Sequence, residues 1–381
     1  MNGAADFLLA DYARQIAPTD RFGPDDLTPV LLGLFGEVGS VMSTSKKLHR
    51  EREAFTGYRR DVEEELGDTL WYVAALCRRL DIDLSDLFER VLDQASFRTA
   101  LAAGSNPAFP ISRVAAVDDI GPLDSVLLRL GESAAKLLSL REDQAAAEKL
   151  LADFAGTYLE AVRAAGISFA TVLRGNLAKA RGRYIEPVSE TLPNFDADFP
   201  TEERLPENFE IEITQRHGGR SYLRWNGVFI GDPLTDNIAD RDGFRFHDVF
   251  HFAHAAVLHW SPTFRALIKH KRKSKPAVDE AQDGGRAIVI EEGLTAYIFS
   301  CAKELEFFAE QQTISFDLLK AVSNFVRGYE VERCPLKLWE NAILQGYDVF
   351  RKVKKNNGGI IMGDRSQRTL QYRPTNQGTS Q

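Results

Sequence analysis

The chain has 381 residues, 44% of them hydrophobic and 27% charged, with a net charge of −8. That length predicts more than one domain, the acidic balance argues against general nucleic-acid binding, and no run approaches the ~18 apolar residues that a membrane span needs. The opening MNGAADFLLADYARQ has no basic segment followed by an apolar core, and the three scattered cysteines, Cys77, Cys301 and Cys334, point to buried thiols in a reduced, cytoplasmic setting.

Residues 1–185 carry Leu/Ala/Val/Arg/Glu segments at a 3.6-residue period and read as almost entirely helical. Breaks fall at Pro18, Pro24, Pro29, Gly57, the GSNPAFP stretch and Gly121–Pro122. The run EPVSETLPNFDADFPTEERLPENF, with four prolines, reads as a linker or an extended strap between domains over 186–208. Apolar and polar residues then alternate around Gly218–Gly219 and Asn226–Gly227, which predicts strands with tight turns. Helices return from about 244 to 355, and residues 356–381 read as a flexible tail.

The helical half contains a duplication. Residues 68–98 laid over 153–183, a constant offset of 85, match Ile82 with Ile167, Leu84 with Phe169, Leu87 with Val172 and Leu92 with Leu177. Two tandem four-helix units, 1–103 and 120–185, account for this most simply; chance similarity between amphipathic segments is the alternative. The expected fold class is therefore mainly α, a pseudo-dimer of tandem units followed by an α+β, mostly helical C-terminal domain over 209–355.

In GLFGEVGSVMSTSKK, Glu37 and Ser40 lie one turn apart; in VEEELGDTLWYV, Glu65 and Asp68 do the same. Antiparallel packing of the two helices would bring three carboxylates together. Their repulsion calls for a cation, and an oxygen-only ligand set suits Mg²⁺. The plainer reading makes Glu63, Glu64, Glu65 and Asp68 a solvated charged face. Trp71 and Tyr72 either stack on a base or belong to the core.

These segments, with EELGDTLWYVAAL and a closing helix, resemble the MazG-type all-α nucleoside triphosphate pyrophosphohydrolases, whose pattern is E-x-x-E, a spacer, then E-x-x-D. The resemblance spans roughly residues 5–100 and, less fully, 120–184. It implies Mg²⁺-dependent cleavage between the α- and β-phosphates, with Mn²⁺ as the alternative ion, giving a nucleoside monophosphate and pyrophosphate. It further implies Glu37, Glu65 and Asp68 as catalytic metal ligands with Glu64 beside them, Lys46 or Lys47 near the phosphates, Tyr72 at the substrate, and a metal-activated water as nucleophile.

Two positions depart from that pattern. Ser40 replaces the second Glu of E-x-x-E and removes a charged ligand. The N-x-x-K…R set of the closing helix is missing from the first half, which has Val91 and Gln94, yet present in the second as Asn176, Lys179 and Arg183. Conversely, the second half has Leu150 opposite Glu65 and Ala135 where a carboxylate belongs. One composite site, acids from the first half and Asn176, Lys179 and Arg183 from the second, is one reading; a scaffolding second half is the other.

Five of the seven histidines fall between 247 and 270. HDVFH (247–251) follows the H-E-x-x-H metal pattern with Asp for Glu, and EEGLTAY (291–297) resembles the third-ligand helix of gluzincin-type metalloproteases. That likeness implies Zn²⁺ on His247, His251 and Glu292, with Asp248 as a base one methylene short. His247–Asp248 is also similar to the doublet of HD-type phosphohydrolases. Without a metal, the histidines fill a helical core or meet phosphate with Arg286 and the basic KHKRKSK run, itself either a solvated loop or a phosphate-binding patch.

The leading expectation is a nucleoside triphosphate pyrophosphohydrolase, with a homodimer left open. A nucleotide sensor disabled by Ser40 is the second, and a C-terminal metallohydrolase regulated by the helical half the third.

Overall fold

Asp26 opens the longest helix, α2 (Leu27–Glu51), by accepting a hydrogen bond from the Thr28 amide at 3.1 Å, which satisfies one of the orphan donors of the first turn. In the computed structural model, which describes residues 9–93, 122–140, 144–216, 218–236 and 238–375, the chain divides into two units, Met1–Ile185 and Glu186–Gln381.

The first unit is helical throughout. α1 (Leu9–Ile16) buries Leu9, Tyr12 and Ile16, and α2 buries Val30, Leu34, Val38 and Val41, the spacing of a single helical stripe. α3 (Tyr58–Arg79) and α4 (Leu84–Asp93) follow, the latter entered through Asp83, whose carboxylate accepts from the Ser85 and Asp86 amides. α5 (Leu123–Leu137), α6 (Gln144–Ala164) and α7 (Phe169–Tyr184) complete the described helices. All seven share one hydrophobic core. By length and composition Leu27–Ala54 would reach across a membrane, which the sequence reading did not anticipate; here its apolar stripe faces that core.

The offset of 85 carries over to the helices. It takes Arg79, the end of α3, to Ala164, the end of α6, and Leu84, the start of α4, to Phe169, the start of α7. Contacts are exchanged in the same way, α7 packing on α3 while α4 packs on α6, the reciprocity expected of two-fold-related halves.

The second unit is α+β. A five-stranded antiparallel sheet has the order β3-β2-β1-β4-β5, with β1 Asn208–Gln215, β2 Ser221–Trp225, β3 Val228–Leu234, β4 Gly358–Asp364 and β5 Thr369–Arg373. Asn226 (φ 48°) and Gly227 (φ 80°) close the β2–β3 hairpin; both central residues have the positive φ of a turn whose twist matches its strands. The helices are α8 (Asp248–Ala253), α9 (Pro262–Ile268), α10 (Pro276–Gln282), α11 (Gly285–Lys303), α12 (Phe316–Phe325) and α13 (Leu336–Asn356). α13 packs against α8, β4 and β5.

Three sequence expectations need correction here. The run 186–208 is no free linker: Phe195, Phe199 and Leu205 are buried, and Asp196 both pairs with Arg265 and accepts from the Leu205 amide at 2.9 Å. Nor is 356–375 a tail, since it supplies β4 and β5. Gly358 and Gly359 allow close approach within the sheet: a Cβ would stand 2.4 Å from the Ile213 carbonyl oxygen at the first and 2.2 Å from the Tyr372 ring at the second. Finally, Arg272 of the KHKRKSK run is fully buried, bonding Asp283 at 2.7 and 3.0 Å and Glu330 at 3.1 Å, so the segment is anchored at Arg272 while Lys269, Lys273, Ser274 and Lys275 stay exposed. The three cysteines are unpaired, Cys77 and Cys334 buried and Cys301 partly so.

Candidate functional site

In the first unit, α2 and α3 lie side by side, and ligand atoms of Glu37, Glu65 and Asp68 all come within 4.8 Å of one another. Each side chain is partly buried. Burial first, then the charges of Asp68 and Glu65, push the Glu37 carboxyl up to about 8, so crowding is stored as a retained proton. The remaining wall comes from α7. Lys179 donates to Glu64 at 2.9 Å and to Asp68, and Asn176 donates to Asp68 at 3.0 Å. Burial opposes the Lys179 charge, but Asp68 and Glu64 outweigh it and hold its pKa above the usual lysine value.

The Asn176 amide is itself oriented. Tyr12, fully buried on α1, donates its hydroxyl to Asn176 Oδ1 at 2.7 Å, which turns Nδ2 toward Asp68. On the opposite side the Tyr72 ring lies on Gly33, where a Cβ would come within 2.1 Å of it. Burial and the nearby Glu37 charge push its hydroxyl up to about 12. Phe22, partly exposed, stacks on Tyr72 with centroids 6.5 Å apart. Trp71 is a core residue, bonding Thr19 at 2.8 Å.

Other expected residues are not brought here. Lys46 and Lys47 follow Glu37 by nine and ten positions on α2, about 14 Å along the axis at 1.5 Å per residue; Lys46 is exposed and Lys47 sits 4.0 Å over the Phe55 ring. Glu64 engages Lys179 but is outside the converging trio. Arg183 is buried one turn beyond Lys179, near the Tyr184 ring. Gln94 lies outside the described residues. At the positions related by the duplication, Leu150 and Val91 pack into the core, so apolar side chains stand where Glu65 and Asn176 stand in the other half, while Asp153, the counterpart of Asp68, is exposed.

In the second unit, the chain enters α8 through His247, and i, i+4, i+7 spacing puts His247, His251 and His254 on one face. They meet Glu291 and Glu292 of α11. His247 Nε2 is 3.4 Å and His251 Nε2 3.3 Å from the Glu292 carboxylate, while His251 Nδ1 is 3.1 Å from Glu291. Glu291 is fully buried and held by His254 Nδ1 at 2.9 Å, Ser261 Oγ at 3.1 Å and the Thr263 amide at 2.9 Å. Burial disfavours its charge, but His251 and His254 outweigh this and bring its pKa down to about 2. Asp248 is buried beside His247 and His251, and burial raises its pKa. Arg286 is exposed on the first turn of α11.

Residues 23–100 match the MazG nucleotide pyrophosphohydrolase domain, and residues 190–376 match the MazG C-terminal domain. A relative, the Gene 37 protein of Mycobacterium phage L5, is 37% identical over 76 residues, 19% of this chain and 67% of that protein. In its N-terminal part the chain belongs to the MazG family. No solved structure matches it.

The MazG match contains Glu37, Glu65 and Asp68, and at the family level it points to a pyrophosphohydrolase-type hydrolase that uses a divalent metal. Asn176, Lys179, Arg183 and Tyr12 all fall outside both matched segments. The 85-residue offset located the first three in the sequence. His254 belonged to the histidine cluster of the sequence, whereas nothing marked Tyr12, which sits in an apolar stripe, or Glu291, whose role depends on burial.

Proposed function

We propose that the first unit is a Mg²⁺-dependent nucleoside triphosphate pyrophosphohydrolase, cleaving a (d)NTP between its α- and β-phosphates to the monophosphate and pyrophosphate. One observation carries this: the convergence of the Glu37, Glu65 and Asp68 carboxylates, with Lys179 against their edge. The donor set fits the ion. It is all oxygen, as a hard dication prefers, and burial together with the Asp68 and Glu65 charges raises the Glu37 pKa, a crowding that such an ion would relieve. When bound, the cation supplies Lewis-acid polarisation of phosphate oxygens and a nucleophilic water.

The residues of the chain do the rest. Asp68 is held in one rotamer by Asn176, whose own amide is fixed by Tyr12. Lys179 brings a cation to the rim of the acid cluster, where the chain of phosphates would run, and exchanges a carboxylate partner for a phosphate one. The Tyr72 and Phe22 rings offer an aromatic surface one turn from Asp68, suited to the flat face of a base. Single-turnover assays with an NTP and dNTP panel, Mg²⁺ and pyrophosphate detection test the reading. Glu65→Gln should lower turnover by about 100-fold or more, beyond what outer-shell changes do.

Ser40 favours a second reading, a nucleotide sensor. A hydroxyl one turn from Glu37 adds no charge to the site, so the unit would bind nucleotide with its cation and turn it over slowly. Tight binding by calorimetry with no pyrophosphate released would select this reading over hydrolysis.

A further inference from the structure

We propose that the second unit holds a transition-metal dication, with Zn²⁺ as its chemical type, on Nε2 of His247, Nε2 of His251 and the carboxylate of Glu292. Two of the three ligand-to-ligand distances, one to each Glu292 oxygen, have the length of an edge in a coordination sphere. A tetrahedral ion with ligand bonds of about 2.0–2.1 Å has ligand-to-ligand edges of about 3.3–3.4 Å, and the two imidazole nitrogens stand 3.4 and 3.3 Å from the Glu292 oxygens.

The outer contacts set the required tautomers. His247 Nδ1 is 2.9 Å from the Phe244 carbonyl, with its ring stacked on Phe244 at 4.4 Å and 7°. A proton on Nδ1 is donated there, which leaves the Nε2 lone pair free for a metal. His251 Nδ1 faces Glu291, the carboxylate–histidine arrangement that raises ligand basicity. Glu291 cannot swing toward the ion, being fastened by His254, Ser261 and Thr263.

His251 is fully buried between Glu291 and Glu292, yet its Nε2 makes no well-directed hydrogen bond, a costly state for a buried polar atom that ligation of Nε2 would resolve. Exposure rises from His251 (0%) through His247 (11%) to Glu292 (39%), so a fourth position faces solvent and stays exchangeable, with buried Asp248 alongside. Two nitrogen donors select borderline ions over Mg²⁺, in contrast to the all-oxygen cluster of the first unit.

The test uses the EDTA-stripped full-length chain titrated with Co²⁺ under excess Mg²⁺. One equivalent should bind with the visible d–d absorption of a nitrogen-ligated ion, in the native chain and equally in Glu65→Gln. His247→Ala/Glu292→Gln should weaken binding by about 100-fold or more. Glu292→Gln alone, at the most exposed ligand, should weaken it at least ~10-fold with circular dichroism unchanged. Absence of the absorption from the native chain, or undiminished affinity in a natively folded Glu292→Gln chain, overturns the proposal.

Discussion

Asn176 donates its side-chain amide to Asp68 at 3.0 Å although 108 residues separate them in the chain. The bond has a direction only because Tyr12 occupies the other end of the amide at 2.7 Å. Tyr12→Phe conserves volume but leaves a buried carbonyl oxygen without its donor, at a cost of about 1–3 kcal/mol. Urea unfolding should show that loss, and pyrophosphate release should fall about 10-fold as Asp68 loses its fixed orientation. Unchanged turnover alongside the stability loss would confine Tyr12 to packing.

Lys179 has opposite effects on the two ligands of the proposed site. Its ammonium sits against Asp68 and Glu64 and so repels a dication arriving at the same carboxylates. Lys179→Met should tighten Mg²⁺ binding without nucleotide by about 10-fold, while raising KM for the triphosphate. Calorimetry and steady-state kinetics measure the two separately. Weaker Mg²⁺ binding in the variant would contradict this account.

The pH dependence follows from Glu37. Its carboxyl, lifted to about 8 by burial and by Asp68 and Glu65, binds a proton in the folded chain that the unfolded chain releases near the ordinary glutamate value. Between those values the native state holds more protons, so the stability of the metal-free protein should fall as pH rises through this window and level off above about 8. Mg²⁺ competes with the same proton, so its affinity should rise over that interval. Melting curves of the native chain and Glu37→Gln, with and without Mg²⁺, check both trends; in Glu37→Gln the slope should be reduced.

Gly33 and Tyr72 form a matched pair. A methyl at Gly33 would come within 2.1 Å of the Tyr72 ring, an overlap that the ring can relieve only by leaving the α2 surface. Gly33→Ala should therefore destabilise the first unit by about 1–3 kcal/mol. Tyr72→Ala in the same chain should remove most of that penalty. A double-mutant cycle showing strict additivity would mean that the two sites do not interact.

Much of this was legible in the sequence where periodicity expresses geometry. The i, i+3 spacing of Glu65 and Asp68, with Glu37 on the preceding helix, implied a shared groove, and the 85-residue offset drew attention to Asn176, Lys179 and Arg183. Roles that depend on burial were not legible. Tyr12 looks like any core aromatic, Glu291 differs from Glu292 only in facing inward, and Arg272 hides in a basic run while pairing with Asp283 and Glu330. The runs around Phe195 and Gly358 were misread for one reason: their composition suggests slack, whereas Phe195 is buried and Gly358 lies against the Ile213 carbonyl.

The exchange of α4 and α7 between the related halves has a consequence for how the site responds to dilution. Were the Lys179 helix supplied by a separate copy, its grip on Asp68 would weaken as copies became scarce; tethering fixes the effective concentration instead. The charge balance around the acids is thus a property of each single molecule, the same in a crowded compartment as in a nanomolar assay.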